Sequence, residues 1–305
     1  MDSHNKHIPA LLSEVLEVLS LKAGKSVLDC TLGLGGHTEC MLQVIGKQGS
    51  LVALDADGKN IVIAKQRLAT FAQNVSVVHA NFRELPQCLP NDHRTFDAIL
   101  ADLGLSSPHI DDPARGFSFR GEGPLDMRYD TARGFTAAEF LEHASRADLT
   151  HILRVYGELP FPQKLAQAIQ ETREEKVIAT SADLVCVVQR CYGYKAPSVL
   201  PQVFQALRIA VNDELSALRV LLQAIPSMLR PGGRVGIISY HSLEDRIVKQ
   251  SFKALVEPRK DTLTGSIMSE APYILLTKRP ITASNEEIAR NPRARSAKLR
   301  ALARR

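Results

Sequence analysis

Three carboxylates and a run of glycines are spaced so that together they could hold a small, partly cationic ligand. The segment Asp29-Cys-Thr-Leu-Gly33-Leu-Gly35-Gly36-His37 puts glycines where an apolar strand turns into a helix. A Cβ at such a place would obstruct both the sharp turn and the approach of a nucleotide-like ligand to the backbone. A glycine turn alone is equally at home with no ligand. The acidic strand ends add the missing signal. Asp55 closes the next apolar run about twenty residues after the glycines, where a carboxylate can take both ribose hydroxyls, and Asp102 closes the fourth. This pattern describes an adenosine-type cofactor lying across the strand ends. A dinucleotide fingerprint is GxGxxG, whereas the order here is GxGG, with Thr38 where the last glycine would stand. Asp29 would repel a pyrophosphate but attract the ammonium of a methionine moiety, so the charges favour S-adenosylmethionine over NAD.

The segment Asp102-Leu-Gly-Leu-Ser-Ser-Pro108 gathers a carboxylate, hydroxyls and carbonyls around a turn. Such acceptors can orient an exocyclic amine for attack on a methyl group, although Asp102 would serve as well as a helix or turn cap. Carbon methylation of a pyrimidine would call for a nucleophilic cysteine, commonly after proline, and the chain has no Pro-Cys dipeptide. His241-Ser-Leu-Glu-Asp245 has the residue types of a hydrolase triad, but no nucleophile elbow precedes it. It either lines the acceptor pocket through His241 or forms a local ion-pair turn.

The elements that must carry these residues follow an α/β rhythm. Ser26–Cys30, Leu51–Asp55, Val75–Ala80 and Asp97–Leu103 are expected as buried parallel strands, with helices from His37 to Ile45 and from Lys59 to Phe71 between them. The rhythm stops near Pro108. Residues 109–134 are expected as a long ordered loop carrying Arg115, Arg120, Asp126 and Arg128, which either grip phosphates of a substrate or brace the loop by internal ion pairs. Helices are expected over Ala137–Ala144, Asp148–Tyr156, Gln163–Thr172 and Ser181–Arg190, with Ser181 as N-cap and Pro197 and Pro201 punctuating the exit. One helix from Gln202 to Leu229, a turn at Arg230-Pro-Gly-Gly, and strands Val235–Tyr240 and Tyr273–Lys278 complete the pattern. The expected architecture is a doubly wound domain (1–112 and 204–305) interrupted by a helical insert (113–203).

Composition narrows the partners. The chain of 305 residues has 38 Lys+Arg against 33 Asp+Glu, but residues 290–305 hold seven basic and no acidic side chains, so residues 1–289 carry 31 basic against 33 acidic. The whole positive excess sits in a terminal segment suited to nucleic-acid phosphates. No aromatic residue interleaves with its arginines, so it would position RNA and not read bases. Five cysteines, an odd number without a CxxC pair, fit reduced thiols better than disulfides or structural metal. With no membrane-length apolar run and no secretory signal, a cytoplasmic location is expected.

Beyond these patterns, specific segments resemble a known family from end to end. They are His7-Ile-Pro-Ala-Leu-Leu, Asp29–His37, Asp102-Leu-Gly-Leu-Ser-Ser-Pro, Arg115-Gly-Phe-Ser-Phe-Arg, Gly123-Pro-Leu-Asp-Met-Arg128, Phe204-Gln-Ala-Leu-Arg-Ile with Asn212-Asp-Glu-Leu, Ser239-Tyr-His-Ser-Leu-Glu-Asp-Arg246 and Asn291–Arg300. They closely resemble the MraW/RsmH family of bacterial 16S ribosomal RNA (cytosine-N4)-methyltransferases. The resemblance implies a class I S-adenosylmethionine-dependent methyltransferase, Rossmann-like with an inserted helical substrate-recognition domain. It implies methylation of N4 of a cytidine in the decoding region of 16S rRNA in the small subunit, and leaves a homodimer open. It places cofactor contacts on Gly33, Gly35, Gly36, His37, Asp55, Phe82 and Asp102, with Asp102 also the catalytic candidate, and substrate contacts on Arg115, Arg120, Asp126, Arg128 and His241. The family's glutamine after Ser-Ser-Pro is replaced by His109, which can still hydrogen-bond the cofactor. Two further departures, Leu159-Pro160 after Tyr156-Gly-Glu158 and Ala196-Pro-Ser-Val-Leu-Pro201, remove basic residues from the insert. The rivals are a DNA amino-methyltransferase, whose (D/N/S)-P-P-(Y/F/W) motif is absent, a non-catalytic RNA-binding ribosome-assembly factor, and an NAD-dependent enzyme.

Overall fold

Three of the apolar runs pair side by side at the centre of a sheet, and their continuous Val, Leu, Ile and Ala content follows from burial of both faces. The computed structural model describes residues 9–89, 94–260 and 267–305. In chain order, α1 (Leu12–Leu19), β1 (Ser26–Asp29), α2 (Gly36–Ile45), β2 (Ser50–Asp55), α3 (Gly58–Arg67), β3 (Val75–His79) and β4 (Phe96–Asp102) come first. Six helices follow: α4 (Ser107–Asp111), α5 (Ala137–His143), α6 (Arg146–Val155), α7 (Pro162–Glu175), α8 (Ser181–Tyr192) and α9 (Ala196–Asn212). The α/β succession then resumes with α10 (Glu214–Met228), β5 (Leu229–Ser239), α11 (Ser242–Leu255), β6 (Arg259–Lys260), β7 (Ile267–Ser269), β8 (Tyr273–Leu275), β9 (Ile281–Thr282), α12 (Asn285–Arg290) and β10 (Lys298–Arg304). None of the described helices is long and apolar enough to cross a membrane.

The chain divides into two units, Met1–Gly104 with Ser216–Arg305, and Leu105–Leu215. The second is longer at both ends than the insert expected over 113–203, because α9 packs Val203, Phe204, Ala206 and Leu207 into that unit's own apolar core. In the first unit the sheet runs β3-β2-β1-β4-β5-β10-β8, with β9 also on β10. Strands β1 to β5 are mutually parallel, and β10 is antiparallel to its neighbours. This is a Rossmann-like sheet whose order reverses between β1 and β4, the place where such sheets bind ligands outside the strand C-termini.

Several expectations are corrected. The single helix from Gln202 to Leu229 is two, since Asp213 takes a left-handed conformation (φ 47) that ends α9 before α10 starts. Pro197 and Pro201 do not mark an exit: the first opens α9, where a missing N–H costs nothing, and the second lies within it. The N-cap of α8 is Thr180, which accepts from Asp183 N, and Ser181 is the first helical residue. Helix α3 stops at Arg67 and gives way to a short 3-10 turn over Ala69–Phe71. The Arg230-Pro-Gly-Gly segment is a bulge inside β5, between the Phe96–Leu229 and Ala98–Arg234 pairs, not a turn ahead of a strand. The start of the expected 109–134 loop is helical in α4 and in a 3-10 turn, Pro113–Arg115.

The basic terminal segment, whose match to the family motif over Asn291–Arg300 implies an ordered segment folded against the domain, is part of the sheet. Lys298–Arg304 is a strand between β5 and β8, buried along most of its length, with Leu299, Ala301 and Leu302 wholly so. Arg300 bonds both carboxylate oxygens of Asp245 (2.7 and 3.2 Å), and Arg304 donates to the Pro226 and Leu229 carbonyls. Arg300 and Arg304, two of the segment's seven basic residues, are thus held inside the fold. Arg290, Arg293 and Arg295 remain exposed.

Candidate active site at the strand ends

Parallel pairing brings the last residues of β2, β1 and β4 together as Asp55, Asp29 and Asp102. The glycine turn follows β1 and opens α2, with Gly35 as its left-handed N-cap (φ 79), a conformation that favours glycine. Gly33 donates its N–H to Asp55 Oδ2 (2.7 Å), so the turn and the second strand end are coupled before any ligand arrives. Asp57 N donates to the other Asp55 oxygen at 2.7 Å. Burial outweighs these bonds and pushes the Asp55 carboxyl up to about 7.

Asp29 is wholly buried and anchors the turn from beneath. Thr38 Oγ1 donates to it at 2.6 Å and Thr31 N at 3.1 Å. The residue that breaks the dinucleotide fingerprint thus has its own function, a hydroxyl that satisfies a carboxylate. Burial raises the Asp29 carboxyl despite these bonds. Thr31 also links the first strand end to the fourth, accepting from Asp102 N at 2.6 Å.

Asp102 lies between two rings. Tyr240 Oη donates to Oδ1 at 2.9 Å, and His37 Nδ1 faces Oδ2 at 3.6 Å. Burial, with the nearby charges of Asp29 and Glu244, pushes the Asp102 carboxyl up to about 7 against the lowering effect of the tyrosine bond. The Tyr240 hydroxyl is pushed well above its ordinary value by burial and by the Asp102 charge. Tyr240, which holds Asp102, is not among the residues expected at the site from the sequence. Its only signal was its place in Ser239-Tyr-His-Ser, directly after β5 on the same sheet edge.

His241, the expected substrate contact, is the N-cap of α11 and exchanges capping bonds with Glu244. Phe82 opens a 3-10 turn after β3 and is partly buried against the core beneath the sheet edge. Gly36 and His37 are the first residues of α2, and Asp55 is the last of β2. The residues present fit S-adenosylmethionine: acidic strand ends suit a cationic sulfonium compound and Asp55 suits ribose hydroxyls.

The other expected site residues belong to the second unit. His109 is buried, bonded through Nδ1 to Ser106, and packed against the Phe117 and Tyr129 rings at 5.0 and 5.3 Å. Arg115 is also buried and donates to the Arg128 and Tyr129 carbonyls, while Asp126 takes a two-pronged ion pair from Arg128 at 2.8–2.9 Å. These three brace the loop. The motif residues Asn212 and Glu214 hold it too, Asn212 bonding Met127 O and Tyr129 N, and Glu214 bonding Tyr129 Oη and Arg208. Gly123 is required by a close approach, since a Cβ there would fall 1.7 Å from the Pro113 carbonyl oxygen. Arg120 alone of the four expected charged residues is exposed. The two departures in the insert are absorbed apolarly: Leu159 is buried, Pro160 O accepts from Tyr192 Oη, and Ala196, Val199 and Leu200 enter the core.

Comparison with known proteins finds relatives that span nearly the whole chain. Residues 4–305 match a family model described as the MraW methylase family. Curated relatives named ribosomal RNA small subunit methyltransferase H include a Solidesulfovibrio magneticus protein, 42% identical over 98% of this chain and 96% of its own length. The Koribacter versatilis protein of that name is 40% identical over 98% of this chain and 94% of its own. The Dehalococcoides mccartyi one is 42% identical over 96% and 85%.

Proposed function

This chain belongs to the MraW methylase family, whose cofactor is S-adenosylmethionine, and we propose that it methylates N4 of a cytidine in the decoding region of 16S ribosomal RNA within the small subunit. The observation that carries this reading is Asp102, a half-buried carboxylate at the end of β4, held by Tyr240 and flanked by the glycine turn. When bound, the cofactor supplies an electrophilic methyl group on a sulfonium. Gly33, Gly35, Gly36, His37, Asp55 and Phe82 would hold it. Asp55 would take the ribose hydroxyls and Asp29 would offset the positive charge.

The chain's own contribution to the chemistry is alignment. An exocyclic amine on a pyrimidine is a poor nucleophile while its lone pair is conjugated with the ring. Asp102, accepting an N–H, turns the nitrogen toward the methyl group and out of conjugation, so that rate comes from positioning. The exposed Arg290, Arg293 and Arg295, with Arg120 of the second unit, would bind RNA phosphates with salt-dependent affinity. The test is incubation of the purified chain with labelled cofactor and small subunits from a strain lacking the enzyme, followed by nucleoside analysis. Label in N4-methylcytidine is expected. Label on carbon, ribose or adenosine, or on no nucleoside, would refute the reading.

A further inference from the structure

Resting on transfer to an exocyclic amine, we propose that Asp102 Oδ2 is the base that takes the amine's proton, with His37 and Tyr240 as positioning residues that reserve this oxygen for it. The tautomer of His37 is fixed by its surroundings. Its Nε2 lies 3.0 Å from the Ala10 carbonyl oxygen, which can only accept, so Nε2 carries the hydrogen. In the neutral form the lone pair of Nδ1 faces Asp102 Oδ2 and the two acceptors repel; the atoms stand 3.6 Å apart, longer than a hydrogen bond. A proton arriving on Oδ2 converts the repulsion into an O–H···N bond.

Three further observations favour the carboxylate as the proton's resting place. His37 stands in the first turn of the ten-residue helix α2, where the positive end of the helix dipole disfavours an imidazolium. Tyr240 occupies Oδ1 as a donor, which directs the incoming proton to Oδ2. Burial places Asp102 near neutrality, and among the described residues the charges of Asp29 and Glu244 add to its proton affinity. An acceptor so poised can take a proton from nitrogen and release it to water between turnovers.

The bookkeeping closes within the pair. Nitrogen uses its lone pair to form the new N–C bond, and the electron pair of the broken S–C bond stays on sulfur. One N–H bond breaks, its electrons remain on nitrogen and restore conjugation with the ring, and the proton goes to Oδ2.

The test reads titration as well as activity. In the full-length protein without RNA, nitrogen-15 NMR should show His37 with its hydrogen on Nε2, and carbon-13 NMR should show Asp102 titrating near neutrality. Tyr240→Phe removes a bond to the ionised form and should raise the Asp102 midpoint. His37→Phe removes the acceptor for the protonated form and should lower it. A merely structural role would not produce shifts of opposite sign. In single-turnover transfer to small subunits, Tyr240→Phe should lose about tenfold or more in rate, move the pH–rate profile to higher pH, and bind cofactor normally by calorimetry. A hydrogen on Nδ1, an ordinary Asp102 midpoint, or an unshifted profile would overturn the proposal. If the wild type labels no cytidine amine, the proposed function fails, while the tautomer and the two midpoint shifts still decide the assignment of the pair.

Discussion

Asp102, at the end of β4, and Asp126, in the loop before α5, keep similar fractions of their side chains exposed, 23% and 17%, yet they meet different kinds of partner. Asp126 faces a guanidinium, and the paired charge of Arg128 holds its carboxyl below the usual range. Asp102 faces a phenol and an imidazole, and its carboxyl is raised. The same contrast extends to their neighbourhoods. Around the glycine turn Asp29 and Asp55 are satisfied by backbone N–H and hydroxyl groups, whereas the loop pairs its charges internally. A carboxylate matched by arginine is finished chemically and serves as scaffold. One stabilised only by neutral donors keeps an appetite for a cation or a proton, which is what a site for a sulfonium compound and a reacting amine requires.

The sharpest way to break this contrast is to truncate each aspartate. Asp102→Ala should lower methyl transfer by about a thousandfold or more while leaving thermal stability nearly unchanged. Asp126→Ala should do the reverse, leaving cofactor affinity intact while costing about 2 kcal/mol of stability through the stranded Arg128. Parallel transfer assays and melts check both, and equal effects would erase the distinction.

Acidity separates the two regions next. If Asp55 must be ionised to accept ribose hydroxyls, cofactor affinity should rise about tenfold from about pH 6 to about pH 8, measured by calorimetry. Stability should move the other way. Asp55 and Asp102 are raised from 3.8 to about 7 in the folded chain, so the fold binds their protons more tightly than the unfolded chain does. Their contribution is complete below about pH 4 and is lost as the pH rises through about 7. Asp126 is depressed, so its contribution is present above about pH 4 and is lost in acid. Melting temperature without cofactor should therefore decline between about pH 4 and about pH 7, Asp102→Asn should flatten part of that slope, and Asp126→Ala should leave it.

The smallest effect tests the helical unit that carries the loop. Thr180→Ala should cost about 1 kcal/mol by removing the cap of α8, and Ser181→Ala should cost far less, as chemical denaturation would show.

The parallel half of the sheet was legible in the sequence because each strand is an apolar run bounded by a polar residue, and Asp55 and Asp102 could be picked out as the acids ending such runs. The break at Asp213 was not, since a left-handed aspartate leaves no mark in a helical pattern. Arg115 and Arg128 were legible as charged motif residues but not as braces, because their acceptors are backbone carbonyls and a carboxylate whose direction depends on the folded loop. Lys298–Arg304 was hidden by its own composition. Its arginines and its motif match were compatible with an ordered segment, but the leucines and alanines between them registered as a strand only once β5 and β8 supplied the two sides.

That strand gives the sheet an unusual dependence on sequence order. Because β10 is bonded along both sides, the amides of Leu299–Ala303 should exchange with solvent water as slowly as those of β4, although they lie far along the chain. Removing it would uncover two facing rows of unsatisfied backbone groups, on β5 and on β8, each a template for strands of other molecules. Residues 298–304 therefore guard the protein against self-association as much as they complete its fold.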